Sequence, residues 1–345
     1  MTDEAGDGHA ASIVTAAEPL LEKAGVGAPF HLDPVTGGGN NRVFRVEAAN
    51  GTFILKVYFR HAADPRDRLN AEFDFGHFAW LHGIRSLPRP ITRARSRGMA
   101  VYEHIAGRRL VPGEVTRGHL AEASAFSTAV NTHRGDPRAA RLPEAAEACF
   151  SIAAHLECVA RRIDRLAAID VDAPLGRTAS VLVSRRLSPA WAGVRAAVLD
   201  AAGDAANAPL AAADRCLSPS DFGFHNAILA PDDRLRFFDF EYAGWDDPAK
   251  MVCDFFCQPA VPVPRVHLPD FVQSVEAAWP DRDDFAGRVA LLLPVYELKW
   301  CCIMLNEFLP AADSRRTFAG RTADRNERQA EQLVKVAAAL DRMGA

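Results

Sequence analysis

A single lysine constrains this chain more tightly than its composition does. Lys56 lies inside FILKVYF, flanked by Ile54, Leu55, Val57 and Tyr58, a run that reads as a largely buried strand. An unpaired ammonium is costly in such a place, so the fold has to bring an acid to it. The next segment, DPRDRLNAEFDFGHFAWLHGI, turns helical and offers Glu72, with Leu69, Phe73, His77, Trp80 and Leu81 spaced for one apolar face. The alternative is an edge strand with Lys56 in solvent. What precedes the lysine favours a partner. FHLDPVTGGGNNRVFRVEAANGTFILKVYFR reads as a strand, a Gly-rich turn, a second strand, an Asn50-Gly51 hairpin turn and a third strand.

In that Gly-rich turn, Gly37, Gly38 and Gly39 allow the backbone to approach a ligand and aim N–H groups at phosphate oxygens, although hairpins use glycine too. No Gly-Lys-Ser/Thr follows, and the next element is a strand. Walker-type and dinucleotide-binding loops are therefore excluded.

A second constellation lies in CLSPSDFGFHNAILAPDDRLRFFDFE, Cys216 to Glu241. Asp221 follows a short strand and a Ser-Pro-Ser turn, and Asn226 opens the apolar run Ala227-Ile228-Leu229. The turn Pro231-Asp232-Asp233-Arg234 folds the chain back into a strand that ends at Asp239. Such a hairpin brings Asn226 and Asp239 to one end of the paired strands, where oxygen ligands suit magnesium. Asp221 is left free to meet a substrate hydroxyl. The competing reading is three turn-capping polar residues.

The remainder sets limits. At 345 residues the chain can bury a sizeable core, and its 49% hydrophobic and 24% charged residues are ordinary for a globular protein. A net charge of −4 gives no general attraction to nucleic acid or an anionic membrane. No run of 18 apolar residues is present, so membrane insertion is not expected. The acidic N-terminus lacks a secretory pattern, and the seven cysteines lack zinc spacing, which suits buried thiols in a cytoplasmic protein. SLPRPITRARSRGMAVYEHIAG supplies two more strands. Helical spacing runs from about Gly113 to Ala205 and returns after Pro248, over Pro269–Trp279, Phe285–Phe308 and Thr322–Met343. These patterns predict an α+β, two-lobed fold: residues 1–105 as a small lobe of antiparallel sheet and helix, and 106–345 as a larger, mainly helical lobe.

The order of Gly-rich turn, strand lysine, helix glutamate, D-x-x-x-x-N loop and D-F-x resembles that of protein kinase-like enzymes. Within that group, GGGNNRVFRVE, YEHIAG and FFDFEYAGWDDP look like the aminoglycoside phosphotransferase and choline kinase family, over roughly residues 30 to 256. The resemblance implies a bilobal kinase-like fold and an ATP-dependent (or GTP-dependent) phosphotransferase acting on a hydroxyl of a small molecule such as an amino sugar, sugar or amino alcohol. It implies that Lys56, held by Glu72, binds the α- and β-phosphates, and that Gly37, Gly38, Gly39, Asn40 and Asn41 cover them. Backbone groups of Glu103 and Ile105 would meet adenine, Asp221 would orient the acceptor hydroxyl and take its proton, and Asn226 and Asp239 would hold Mg2+.

Two departures stand out. Pro219 takes the place of the family's usual histidine, and Asp254 lies too far beyond Pro248 for the family's third aspartate, so it reads as a structural acid anchoring the loop. The other functional class to weigh is a non-catalytic, nucleotide-binding regulator with a kinase fold. A protein kinase is disfavoured, because no A-P-E-like segment follows Asp239. For the acceptor, Glu241, Asp246, Asp247, Asp281, Asp283 and Asp284 suit a cationic compound, whereas Lys299, Arg315, Arg316 and Arg321 suit an anionic one. Trp245 and Trp300 are candidates for stacking on a sugar or a quaternary ammonium, against the commoner use of tryptophan in a core. Sequence leaves the acceptor, and the oligomeric state, open.

Overall fold

Lys56 falls on the middle strand of a five-stranded antiparallel sheet, ordered β1-β2-β3-β5-β4. The computed structural model describes residues 4–35, 41–60, 64, 66–279, 284–310 and 324–344, with main chain alone for 4–12. The strands are β1 (Phe30–Pro34), β2 (Arg42–Ala48), β3 (Gly51–Val57), β4 (Pro90–Ala94) and β5 (Met99–Glu103). Ala48 pairs with Gly51 across the predicted hairpin turn, where Gly51 takes a φ of 139° that only glycine adopts readily. One face of the sheet packs on helix α1 (Glu4–Lys23) through Leu20, Leu21, Val46, Leu55 and Val101.

Helix α2 (Arg68–Leu81), capped by Asp67, docks against β4 and β5. Its buried face carries Leu69, Ala71, Glu72, Phe75, Gly76, Phe78 and Ala79, and of the predicted face only Leu69 belongs to it. Of the predicted face, His77 and Leu81 are exposed, and Phe73 and Trp80 lie on the flank. This rotation puts Phe75 and Phe78 into the core while it aims Glu72 at Lys56. The flanking rings are covered by guanidinium groups, Arg93 over Phe73 at 4.6 Å and Arg85 over Trp80 at 3.9 Å.

After Glu103 the chain passes Gly107 into the short strand β6 (Arg108–Arg109), which pairs with β8 (Ala227–Leu229) of the β8–β9 hairpin, β9 being Leu235–Phe237. The contact is tight: a Cβ on Gly107, whose φ is 144°, would lie 2.3 Å from the Leu229 carbonyl. A second pair joins β7 (Cys216–Ser218) to β10 (Gly244–Asp246).

Around these strands pack α3 (Arg117–Thr132), α4 (Ile152–Arg165), α5 (Gly176–Leu182), α6 (Ser188–Ala202), α7 (Pro248–Cys257), α8 (Leu268–Glu276), α9 (Phe285–Leu305) and α10 (Arg325–Met343). The α+β architecture is as the sequence predicts. Helix α9 is the spine, touching α4, α6, α7, α8 and α10. It is long and apolar enough to cross a membrane by length and composition, yet 56% of its most apolar window is buried inside the protein. Its apolarity serves the core. All seven cysteines are free, and only Cys257 is not fully buried.

Candidate active site

Lys56 is 7% exposed and is ringed by acid. Its Nζ donates to Glu72 Oε1 at 2.7 Å, to Glu72 Oε2 at 2.9 Å and to Asp239 Oδ1 at 2.7 Å. Tyr58 donates to Glu72 Oε2 at 2.7 Å and shares a 2.8 Å hydrogen bond with Tyr102. Burial works against the ammonium, but Asp239 and Glu72 outweigh it and hold the Lys56 pKa well above its usual value. For Glu72 burial prevails, reinforced by the Asp239 charge, and its pKa lies above the ordinary carboxylate range. Two acids around one lysine leave a surplus negative charge, which falls on the deeper of them, Glu72, as an upward push on its pKa.

Asp239 is one-third exposed and follows β9 with a φ of 68°. Asn226 sits across from it because Ala227 pairs with Phe237, and the Phe238 N–H donates to the Asn226 carbonyl at 3.0 Å. The Asn226 amide NH2 donates to the Asp221 carbonyl at 3.0 Å and to its carboxylate at 3.3 Å. Donation through nitrogen leaves the Asn226 side-chain oxygen as the acceptor. Amide and carboxylate oxygens such as these are of the type that Mg2+ takes.

Asp221 is presented by a strained loop in which Ser220 has a φ of 67°. Its carboxylate meets His225 Nε2 at 3.2 Å. Burial would raise its pKa, but His225, Asn226 and Lys299 prevail and hold the carboxyl below its usual range. Pro219, where the family's histidine would be, leaves the loop well anchored. Asn131 bonds both main-chain groups of Leu217 at 2.8 and 3.1 Å, and Ser218 Oγ accepts from the Ser220 N–H at 3.0 Å.

A cleft of about 370 Å³ opens between sheet and hairpin. Asn41, Lys56, Glu72, Glu103, Ile105 and Asp239 line it, together with apolar Ile54, Leu87, Ile228 and Phe238. Asp221 and Asn226 stand outside that lining. Gly37, Gly38, Gly39 and Asn40 lie outside the described residues. Asn41 has its side chain engaged, donating to Glu241 at 2.7 Å and accepting from the Phe59 N–H at 3.2 Å. The Glu103 N–H donates to the Arg89 carbonyl at 2.9 Å, so its carbonyl is the main-chain group left for a ligand.

The acids considered for a cationic acceptor are placed differently from expectation. Asp246 and Asp247 are fully buried and Glu241 is 2% exposed. Asp246 pairs with Lys250, while Asp247 caps α7 and accepts from Arg288 Nε at 2.7 Å. Asp284 caps α9 through the Gly287 N–H, whereas Asp281, Asp283, Arg315, Arg316 and Arg321 lie outside the described residues. Asp254 anchors no loop. It lies within α7 and reaches α9, accepting from Lys299 at 2.9 and 3.0 Å and from Trp300 Nε1 at 2.9 Å. Trp245 donates to the Ala139 carbonyl at 2.9 Å. Both tryptophans are tied into the fold.

The comparison that decides the family is with the model described as "Phosphotransferase enzyme family", which matches residues 31–250, more than half of the chain. The chain belongs to the phosphotransferase enzyme family. Several solved structures share the fold. A spectinomycin phosphotransferase in complex with ADP and spectinomycin superimposes with a TM-score of 0.61 at 12% identity, covering 95% of this chain and 98% of that one. Choline kinase LicA from Streptococcus pneumoniae gives 0.58 at 13% identity, covering 96% and 98%. A choline kinase from Cryptosporidium parvum gives 0.57 at 12% identity, covering 94% and 97%. No curated protein sequence matches.

Within this phosphotransferase, the reading of the sequence missed His225 and the Asn41–Glu241 bond. His225 directly precedes Asn226, a cue that was available. The Asn41–Glu241 bond spans 200 residues, and no local pattern announces it.

Proposed function

We propose that the protein transfers the γ-phosphoryl group of ATP to a hydroxyl of a small molecule, with Mg2+ as the metal. The observation that carries this is the Lys56–Glu72–Asp239 cluster on the wall of a cleft, joined to Asp221 through the hairpin that bears Asn226. Lys56 is poised for the donor's phosphates, since Glu72 fixes its position from beneath. Backbone groups of Glu103 and Ile105, which line the cleft, would meet adenine. When bound between Asn226 and Asp239, Mg2+ would neutralise phosphate charge. Lobes divided near residue 105 put the donor against the sheet and the acceptor against the helices.

Asp221, kept ionised, accepts a hydrogen bond from the acceptor hydroxyl and takes its proton. The acceptor oxygen forms a bond to the γ-phosphorus as the bond to the β–γ bridging oxygen breaks, and ADP leaves. Phosphoryl transfer asks mainly for positioning and charge balance, so a carboxylate with a low pKa suffices.

Thermal unfolding with Mg2+ plus ATP, Mg2+ plus GTP and each component alone is the test. An upward shift that needs both metal and nucleotide is expected. Asp221→Asn should keep that shift and lose at least about 100-fold in ADP release. No shift at millimolar nucleotide would remove the reading. A shift without turnover across a broad acceptor panel would favour a nucleotide-binding regulator.

A further inference from the structure

Phosphoryl transfer makes no use of two buried phenols beside Lys56, those of Tyr58 and Tyr102. Tyr58 directly follows β3 and stands two residues from Lys56. Both side chains therefore leave the sheet on the face toward α2, where Glu72 bonds to each of them. On β5, Tyr102 lies opposite Ile54, and the small Ala100 lies opposite Lys56. The two hydroxyls meet at 2.8 Å within the cluster that Ala100 and Leu69 complete.

The direction of these bonds follows from charge. Lys56 donates to both oxygens of Glu72, which accepts from Tyr58 as well, so the Tyr58 oxygen is left to accept from Tyr102. Burial, and then the Glu72 charge, push both phenol pKa values well up, and both groups keep their protons. The chain of donors runs from Tyr102 through Tyr58 to the acid that holds Lys56.

Ring packing does not call for these hydroxyls, because phenylalanine would fill the same space. A buried hydroxyl is costly unless bonded, and each of these spends its proton on the next group toward the lysine. At the far end the ammonium is contested. Lys56 Nζ lies 2.7 Å from Glu72 and 2.7 Å from Asp239, and of the two acids only Glu72 is fixed by a tyrosine.

Resting on the phosphotransferase reading above, we propose that Tyr58 is a positioning residue for the donor's phosphates, clamping Glu72 so that Lys56 keeps its place on the cleft wall once Asp239 turns to the metal, and that Tyr102 orients Tyr58. Tyr102 itself lines the cleft, one residue before Glu103. The clamp thus ties the end proposed for adenine to the end proposed for the phosphates.

The test reads binding and not turnover. Dissociation constants for Mg2+–ATP and for adenosine, which carries no phosphate, are compared in the wild type, Tyr58→Phe, Tyr102→Phe and the double variant. Tyr58→Phe should weaken Mg2+–ATP about 5–10-fold and adenosine less than about 2-fold, because the ring stays and only the grip on Lys56 loosens. Tyr102→Phe should weaken Mg2+–ATP about 2–3-fold. The double variant should match Tyr58→Phe, since links in series do not add.

Unchanged Mg2+–ATP affinity in Tyr58→Phe overturns the proposal. So does an equal loss for Mg2+–ATP and adenosine, which is what a purely structural role would give. Losses that multiply in the double variant overturn the role of Tyr102. If Tyr58→Phe does not fold, Tyr102→Phe decides with the same two ligands. A wild type that binds no Mg2+–ATP removes the phosphotransferase reading itself, and this proposal with it, before any variant is compared.

Discussion

Two clusters of lysine and carboxylate lie within one molecule, and they differ in what surrounds them. Lys56, Glu72 and Asp239 stand on the wall of a cleft, with Asp239 one-third exposed. Lys250, Asp246, Lys299 and Asp254 are closed in by helices α7 and α9, each no more than 5% exposed. The ingredients are alike and the uses are opposite. An ion pair that borders a cavity can exchange a partner for a ligand, whereas an enclosed one can only hold its own elements together. Contact with a cavity, rather than charge or burial, separates the two clusters in this fold.

The contrast breaks most visibly if its enclosed half is cut. Lys250→Met leaves Asp246 buried without its cation and should cost about 3–5 kcal/mol in denaturant unfolding. A cost no greater than that of Lys56→Met would erase the distinction. Acid should sharpen the same difference. For Asp247 burial opposes ionisation, but His155 and Arg288 prevail and hold its pKa below the ordinary value. A depressed folded pKa contributes stability that is complete above the unfolded value of about 4 and is lost as pH falls through the folded one. Glu147, brought down to about 2 by Arg162 against the effect of burial, adds a loss of the same sign. Unfolding midpoints should therefore drop steadily below about pH 5. Asp247→Asn should be less stable at neutral pH and should flatten that acid slope.

On the cleft side the effects should be functional before they are structural. Lys56→Met should weaken magnesium–nucleotide binding by at least about 10-fold and cost at most about 2 kcal/mol, since Glu72 keeps Tyr58 and Asp239 reaches solvent. The smallest effect is expected at Asn41→Ala, about 1 kcal/mol in unfolding, from the lost bond to Glu241. A larger loss there would make this contact between distant segments a main support of the cleft.

What the sequence disclosed follows the same division. The Lys56–Glu72 pair was legible because apolar neighbours on the strand left the ammonium no other recourse. The meeting of Asn226 with the end of β9 was legible because a four-residue turn between alternating runs fixes the pairing. The inward face of α2 was not, since aromatic residues lie all round the helix, and Phe75 and Phe78 are the ones that turn inward. Nor was the burial of Asp246, Asp247 and Asp254. Lys250, four residues from two of these, could have been noticed, but His155, Arg288 and Lys299 are 92, 41 and 45 positions from their acids. Such partners become evident only when helices are assembled.

The β8–β9 hairpin carries a consequence for how this chain can vary. Asn226 and Asp239 ride on its two open ends, and their alignment depends on Ala227 facing Phe237. The tip, Pro231 to Arg234, is exposed apart from its flanks and includes Asp233 in a left-handed conformation. Asp233 should be exchanged most readily for Asn or Gly, whereas a one-residue insertion that slips the ladder would turn one partner to the opposite face. A solvent-facing turn, ordinarily the most permissive part of a protein, would then be held to a fixed length by the pairing at the other end of the ribbon.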